Sequence, residues 1–423
     1  MPPAPPQTTK DKLVRFLRWS EKYTKTDMVY LAKGGFWSIV GQASATLIAL
    51  ALSIIIARYV PKDAYGTYKY VLGIISILSA FSLNNVGGAV LQSVALGFTG
   101  APEDGFRANL RWSFAVFLGA FALGAYYLLM GNATLGIGIL LGGCASPFLA
   151  GYNLYLPFLN GKKDFMRAAW YGGFVTNFVP AAALTAVALV NPQPVSLLAA
   201  YFLGNVAAAA YAYYRARARY RGAGAHDPEM LRYSKHLSFM GILTALAGNI
   251  DQVLLFHFGG AIDLAVYNFA TGIVDQAKGP LKSLDAMMQA RFAPQEEHSI
   301  AAGMRNKILL LTASSIAFIA LYVLLAPYLY GLLFPKYLDA VAYSQLYSLS
   351  ILAVIGTPIS SYFSAKKRVR AQYAGTIVNN TLQITSMVVG VLGWGLWGLI
   401  IGRVSGRILA GLASYGIYLW ERA

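Results

Sequence analysis

Charge is what this sequence has least of. Asp, Glu, Lys and Arg make up 12% of its 423 residues, and only 17 of those groups are carboxylates. A soluble domain draws on roughly a quarter charged residues to cover its surface, so an ordinary water-soluble fold is excluded. Cysteine is nearly absent. Cys144 stands alone, so it closes no internal disulfide, and it has no neighbours suited to a metal. Its expected role is a small apolar packing residue. The four histidines, His226, His236, His257 and His298, are scattered and form no pair at metal-binding helical spacing, so no metal is expected. A phosphate-cradling G-x-x-x-x-G-K-S/T loop is missing too, which argues against nucleotide hydrolysis, and no cofactor is expected. Also missing are the large extramembrane loops and paired carboxylates that membrane glycosyltransferases and polymerases use for acid–base work. The chain is therefore not expected to be an enzyme. No cleavable leader is expected either, because the first apolar run starts late, after a basic stretch, and ends without a small-residue cleavage site.

What the sequence does have is hydrophobic length. It is 57% hydrophobic, its mean hydropathy is +0.53, and runs of about 20 apolar residues, enough for a helix to cross a bilayer, recur from residue 34 onward. The pattern predicts an all-α polytopic membrane protein with about 12 spans, near 34–57, 67–93, 109–130, 134–158, 166–190, 194–214, 237–258, 264–284, 308–332, 341–364, 371–393 and 397–418. Four segments follow from this pattern. Residues 1–33 are a disordered proline-rich tail leading into a basic interfacial helix (KLVRFLRWSEKY), 34–214 and 237–423 are two six-helix bundles, and 215–236 is a basic cytoplasmic linker. An even number of spans puts both termini on one side. With that side cytoplasmic, inner segments hold 26 Lys and Arg and outer segments four: Arg58, Lys62, Lys69 and Lys336. The positive-inside rule therefore places both termini in the cytoplasm of a multi-pass protein of the inner membrane. The formal charge of +17 is then a topology signal with some attraction to anionic membrane lipids, and no nucleic-acid partner is expected, since no soluble basic domain exists to bind one.

Ionisable groups inside spans are expensive and usually face a hydrated cavity or one another. Here they gather in the second half: Asp251, then Asp275, Lys278, Lys282 and Asp285 in DQAKGPLKSLD, and Arg403 and Arg407 in GRVSGR. Gly279-Pro280 should bend the eighth span and separate a deep pair, Asp275 and Lys278, from an interfacial pair, Lys282 and Asp285. Arg403 and Arg407 lie four apart on one helix face, beside Gly402 and Gly406, which would let a neighbouring helix approach closely. Two readings of the arginines stay open. They hold a phosphate or diphosphate through their planar forks, or they pair with Asp251 or Asp275 and join two helices. Gln42, Asn84, Asn85, Asn177, Asn249, Gln252 and Asn379 are candidates to line a polar path.

Two stretches, KGGFWSIVGQ with IIIARYVPKDAYGTYKYV and NIDQVLLFHFGGAIDLAVYNFATGIV, resemble the polysaccharide transporter (oligosaccharide flippase, Wzx-like) branch of the multidrug/oligosaccharidyl-lipid/polysaccharide (MOP) exporter superfamily. Val266 stands where that branch often has glycine. The stretches also align with each other, Tyr68 on Tyr267, Gly73 on Gly272 and Ile74 on Ile273, a weak repeat that fits two parallel halves. The resemblance implies two bundles around a central cavity open alternately to each side. It also implies passage of an undecaprenyl-diphosphate oligosaccharide to the outer leaflet for O-antigen or exopolysaccharide synthesis, next to a polysaccharide polymerase and chain-length machinery. On that reading Lys278, Arg403, Arg407 and Lys282 would bind substrate, and Asp251 and Asp275 would couple an ion or balance charge. Lipid II export is an alternative, drug or cation antiport another, and a non-transporting membrane scaffold a third.

Overall fold

A helix of 48 residues, Met230–Ala277, is about 72 Å long at 1.5 Å per residue, more than twice the ~30 Å apolar core of a bilayer. It has to turn back. The computed structural model, which describes residues 28–220, 224–277, 297–366 and 368–420 with 288, 292 and 295 between them, shows where. Gly260 takes φ 85°, a left-handed value that suits glycine, and divides the helix into two arms. The 52-residue helix Val369–Trp420 does the same at Trp394 and Gly395, within GWGLWG, where Gly395 has φ 56°.

In chain order the helices are α1 (Met28–Tyr59), α2 (Lys62–Ser79), α3 (Val86–Ala95), α4 (Ala101–Leu129), α5 (Ala133–Tyr152), α6 (Tyr155–Gly161), α7 (Phe165–Val190), α8 (Pro194–Arg219), α9 (Met230–Ala277), α10 (Glu297–Leu333), α11 (Ala340–Ala365) and α12 (Val369–Trp420). Nine helices among the described residues are long and apolar enough to cross a membrane. Counting both arms of α9 and α12, and joining α2 to α3, gives the expected twelve passes. The protein is a multi-pass, all-α membrane protein.

Two predicted spans are interrupted. The stretch predicted as one helix over 67–93 breaks between α2 and α3, in FSLNN. Ser82 Oγ donates to the Ser79 carbonyl at 2.7 Å, and Asn84 and Asn85 follow, residue types whose side chains compete with the helix ladder. The span predicted over 134–158 pauses at Asn153 and Leu154 between α5 and α6. Within α7, residues Ala169–Val175 widen into a π-helix where the Gly173 face meets the backbone of Gly41, which a Cβ at Gly173 would approach to 2.4 Å. The arginine-rich end of α8 stays helical to Arg219. Arg217 there binds Glu103 and donates to the Thr99 carbonyl at 2.9 Å, tying α8 to the start of α4.

One hydrophobic core runs across the middle of the molecule, from Ile56 and Tyr68 through Leu264 and Tyr267 to Leu399 and Val404. Its central seam is α2 on α9, the two stretches that carry the weak sequence repeat. Gly66 lies so close to Ala261 that a Cβ would fall 1.8 Å from the Ala261 oxygen. Tyr65 meets Phe269 at 5.2 Å, and Tyr70 stacks on Phe256 at 3.8 Å between ring centres. The basic tail stretch KLVRFLRWSEKY, Lys278, Gly279, Pro280, Lys282 and Asp285 lie outside the described residues.

Candidate functional site

The second arm of α12 packs tightly on its first. A Cβ at Gly402 would fall 2.1 Å from the Ser386 oxygen, and one at Gly406 3.0 Å from the Gln383 Cα. Close approach through glycine on this face sets the arm so that Arg403 and Arg407 reach α9 and α11. Arg403 Nη1 donates to Asp251 Oδ2 and to the Tyr267 hydroxyl, and that hydroxyl donates to the same carboxylate oxygen. Asp251 is 1% exposed and the Arg403 side chain 12%, so the pair is largely taken out of water. Arg407 Nη1 donates at 2.6 Å to the Tyr347 hydroxyl, which donates to Asp275 at 3.0 and 3.1 Å. Arg407 and Asp275 themselves stand 3.7 Å apart. The Tyr347 ring lies between the two guanidinium groups, 5.7 Å from Arg403 and 5.5 Å from Arg407. Six residues on three helices thus make one network of two ion pairs. Of the two open readings of the arginines, the structure supplies the partners for pairing.

Next to the network lies a cavity of about 330 Å³ between α1, α2, α9 and α12, lined by Ser53, Tyr65, Lys69, Asp251, Gln252, Tyr267, Asn268, Asp275, Gln276 and Arg403. A second lobe of about 320 Å³ continues from it, lined by Lys69, Ser76, Ser79, Ser146, Tyr201, Asn249 and Gln252. Lys69 and Gln252 line both lobes. Gln252 Oε1 is buried with no hydrogen-bond partner among the described residues. Lys69 makes no hydrogen bond or ion pair among the described residues, and its ammonium lies 5.5 Å from the centre of the Tyr65 ring.

Lys69 therefore leaves the outer connections, where the charge count had put it. It sits two turns inside α2, about 10 Å past Lys62 along the helix axis. The residues proposed as polar lining divide among several places. Asn249 and Gln252 line the central cavity, Gln42 a pocket of about 570 Å³ between α1, α6 and α7, and Asn379 a pocket of about 680 Å³ within the second half. Asn84 and Asn85 sit in the break between α2 and α3, where the Asn85 N–H donates to Ser238 at 3.2 Å. The Asn177 amide donates to the Gly172 and Gly173 carbonyls of its own π-turn. Lys278 and Lys282 lie outside the described residues.

Sequence reasoning missed three participants. Tyr267 and Tyr347 are 1% and 0% exposed, whereas tyrosines in membrane proteins gather at the interfaces. Tyr267 could have been found from its place in the repeat; for Tyr347 the only hint was the polar run AYSQLYSLS inside a span. Lys69 could have been found by counting turns from Lys62.

No protein-family profile and no curated relative matches the sequence. Solved structures do. An inward-facing multidrug resistance MATE family transporter of the MOP superfamily superposes with a TM-score of 0.69 at 17% identity, over 89% of this chain and 94% of that one. An outward-facing MATE family structure gives 0.62 at 16%, over 93% and 94%. A MOP superfamily transporter from Pyrococcus furiosus, described as having a binding pocket of reverse polarity, gives 0.63 at 17%, again over 93% and 94%. The chain has this fold, twelve helices in two bundles around a central cavity.

Proposed function

We propose that the protein is a transporter that carries an anionic, lipid-linked saccharide from the inner to the outer leaflet by alternating access, with both termini in the cytoplasm. The observation that carries this reading is the charge balance of the central cavity. Asp251 is paired with Arg403, and Asp275 with Arg407, so among the described residues the cavity keeps the Lys69 ammonium in excess. An unopposed cation at the meeting point of two lobes suits a phosphate or diphosphate, while the amides and hydroxyls around it suit sugar. The resemblance of both repeat stretches to oligosaccharide flippases supports the same class of substrate. Export of a cationic drug is favoured less, because such a ligand wants an unpaired carboxylate in the cavity. Lipid II shares the diphosphate chemistry and stays within the proposal. Asp275, the more exposed of the two carboxylates, is the one placed to take up a proton or ion during the cycle.

The test is translocation of a fluorescent undecaprenyl-diphosphate monosaccharide in proteoliposomes. Wild type should move it, Lys69→Arg should keep most of the rate, and Lys69→Gln should lower it about ten-fold or more at equal protein incorporation. Absence of movement by wild type would overturn the function, and unchanged movement by Lys69→Gln would overturn the role of Lys69.

A further inference from the structure

The roomiest of these cavities is not the central one. A pocket of about 680 Å³, within the roughly 300–1,000 Å³ of small-molecule sites, lies inside the second half between α9, α11 and α12. Its polar wall is uncharged: Ser350, Thr357, Ser360, Asn379, Gln383 and Ser414. Asp275 and Arg407 are the charged lining groups among the described residues, and they are joined through Tyr347. Asn379 and Ser414 bond each other at 3.1 Å. The side chains of Thr357, Ser360 and Gln383 make no hydrogen bond among the described residues. Thr357 and Gln383 are half-buried and Ser360 is exposed, so these amide and hydroxyl groups are open to a ligand that enters the pocket. Asp275 lines this pocket and the central cavity alike, so the two spaces meet at its carboxylate.

We propose that this pocket is a separate subsite for an uncharged, polyhydroxylated group, a sugar residue of the ligand, while the Lys69 cavity holds the ligand's anionic part. The inference rests on the lipid-linked saccharide reading above and divides that ligand between two places. Among the described residues the wall carries one acid and one base, which favours neither a phosphate nor an ammonium, and a wall of donors and acceptors discriminates for hydroxyl groups because a ligand lacking them leaves the wall unpaired. Asp275, Tyr347 and Arg407 then form the partition between the subsites.

The experiment measures binding of two probes, undecaprenyl diphosphate and undecaprenyl-diphosphate monosaccharide, to the full chain in lipid nanodiscs. A Thr357→Val, Gln383→Leu variant keeps side-chain volume while removing two of the open polar groups. It should weaken the sugar-bearing probe about ten-fold and leave the sugar-free probe within about two-fold, which also reports an intact fold. As a second arm, Ser360→Cys in a Cys144→Ser background, labelled with a bulky maleimide, should block only the sugar-bearing probe; Ser360 is exposed and so reachable. Equal loss of both probes, or loss of neither, in the two arms would overturn the subsite while leaving the transport reading intact. Failure of wild type to bind either probe would overturn both. Displacement of the sugar-bearing probe by free monosaccharide, with no binding of undecaprenyl diphosphate, would keep the pocket as a sugar site and overturn the lipid-linked ligand.

Discussion

Asp251 and Arg403 illustrate how differently the two members of a buried ion pair respond to the loss of a partner. A carboxylate left alone in an apolar interior can neutralise itself by binding a proton, whereas a guanidinium stays charged. Asp251 is 1% exposed and bonded to both Arg403 and Tyr267, so removing either charge breaks a desolvated network. Breaking such a pair from one side costs roughly 3–5 kcal/mol, while removing both charges is often close to neutral. Asp251→Asn should therefore lower the melting temperature of detergent-solubilised protein more than Arg403→Gln, and the double substitution should recover most of the loss. Melting followed by fluorescence-detected size exclusion reads all three variants. Single variants that melt like wild type would show that the pair holds nothing together.

At the scale of elements, the α12 hairpin stands out because its two arms touch through backbone. A Cβ at Gly390 would sit 2.0 Å from the Gly398 oxygen, and one at Gly398 1.8 Å from the Gly390 oxygen. Contacts that short leave no room for a methyl group, so Gly398→Ala should sharply reduce folded protein in the membrane. Gly393→Ala is the control: its Cβ meets nothing within 4 Å, and its expression should match wild type. This hairpin was legible in the sequence, since the short gap between the spans predicted at 371–393 and 397–418 marked the turn and the spacing of Gly402 and Gly406 marked the close face. The twelve passes were legible for the same reason, because apolar length is a local property. The breaks in α2–α3 and α5–α6 were harder to see. Ser82 disturbs the helix through a side-chain bond to the Ser79 carbonyl, which hydropathy does not register. The site was half legible. Residues costly in a span announce themselves by charge, which gave Asp251, Asp275, Arg403 and Arg407. Their partners Tyr267 and Tyr347 are two of 28 tyrosines and carry no charge to announce them; a place in the repeat marks the first and a polar run the second, but neither shows that α9 and α11 carry them to the arginines.

At the scale of the whole molecule, the two halves are fastened at the end that holds the short turns. Lys62 pairs with Asp339 at 2.7 Å and lies 5.0 Å from the Tyr337 ring centre. Lys336 donates to the Arg58 carbonyl at 2.6 Å, and Arg58 to the Leu332 carbonyl at 3.4 Å. Beneath this layer Tyr65, Phe269 and Tyr337 close over the cavity. If the halves part here in each cycle, joining Lys62→Cys to Asp339→Cys with a short bis-maleimide, in a Cys144→Ser background, should stop translocation and leave ligand binding within about two-fold. Undiminished translocation by the cross-linked protein would show that this end stays shut throughout.

The order of charges along the chain also bears on how the protein is made. Asp251 and Asp275 are synthesised well before Arg403 and Arg407, and carboxylates can enter lipid as neutral acids while arginines cannot. The last pass is therefore the one that needs a receiving surface, and α9 is already in the membrane to provide it. With acids first and bases last, ribosomal order spares the nascent chain a period in which two permanent charges stand alone in hydrocarbon. Reversing the pairs, with arginine in α9 and aspartate in α12, would preserve the finished network and remove that advantage during insertion.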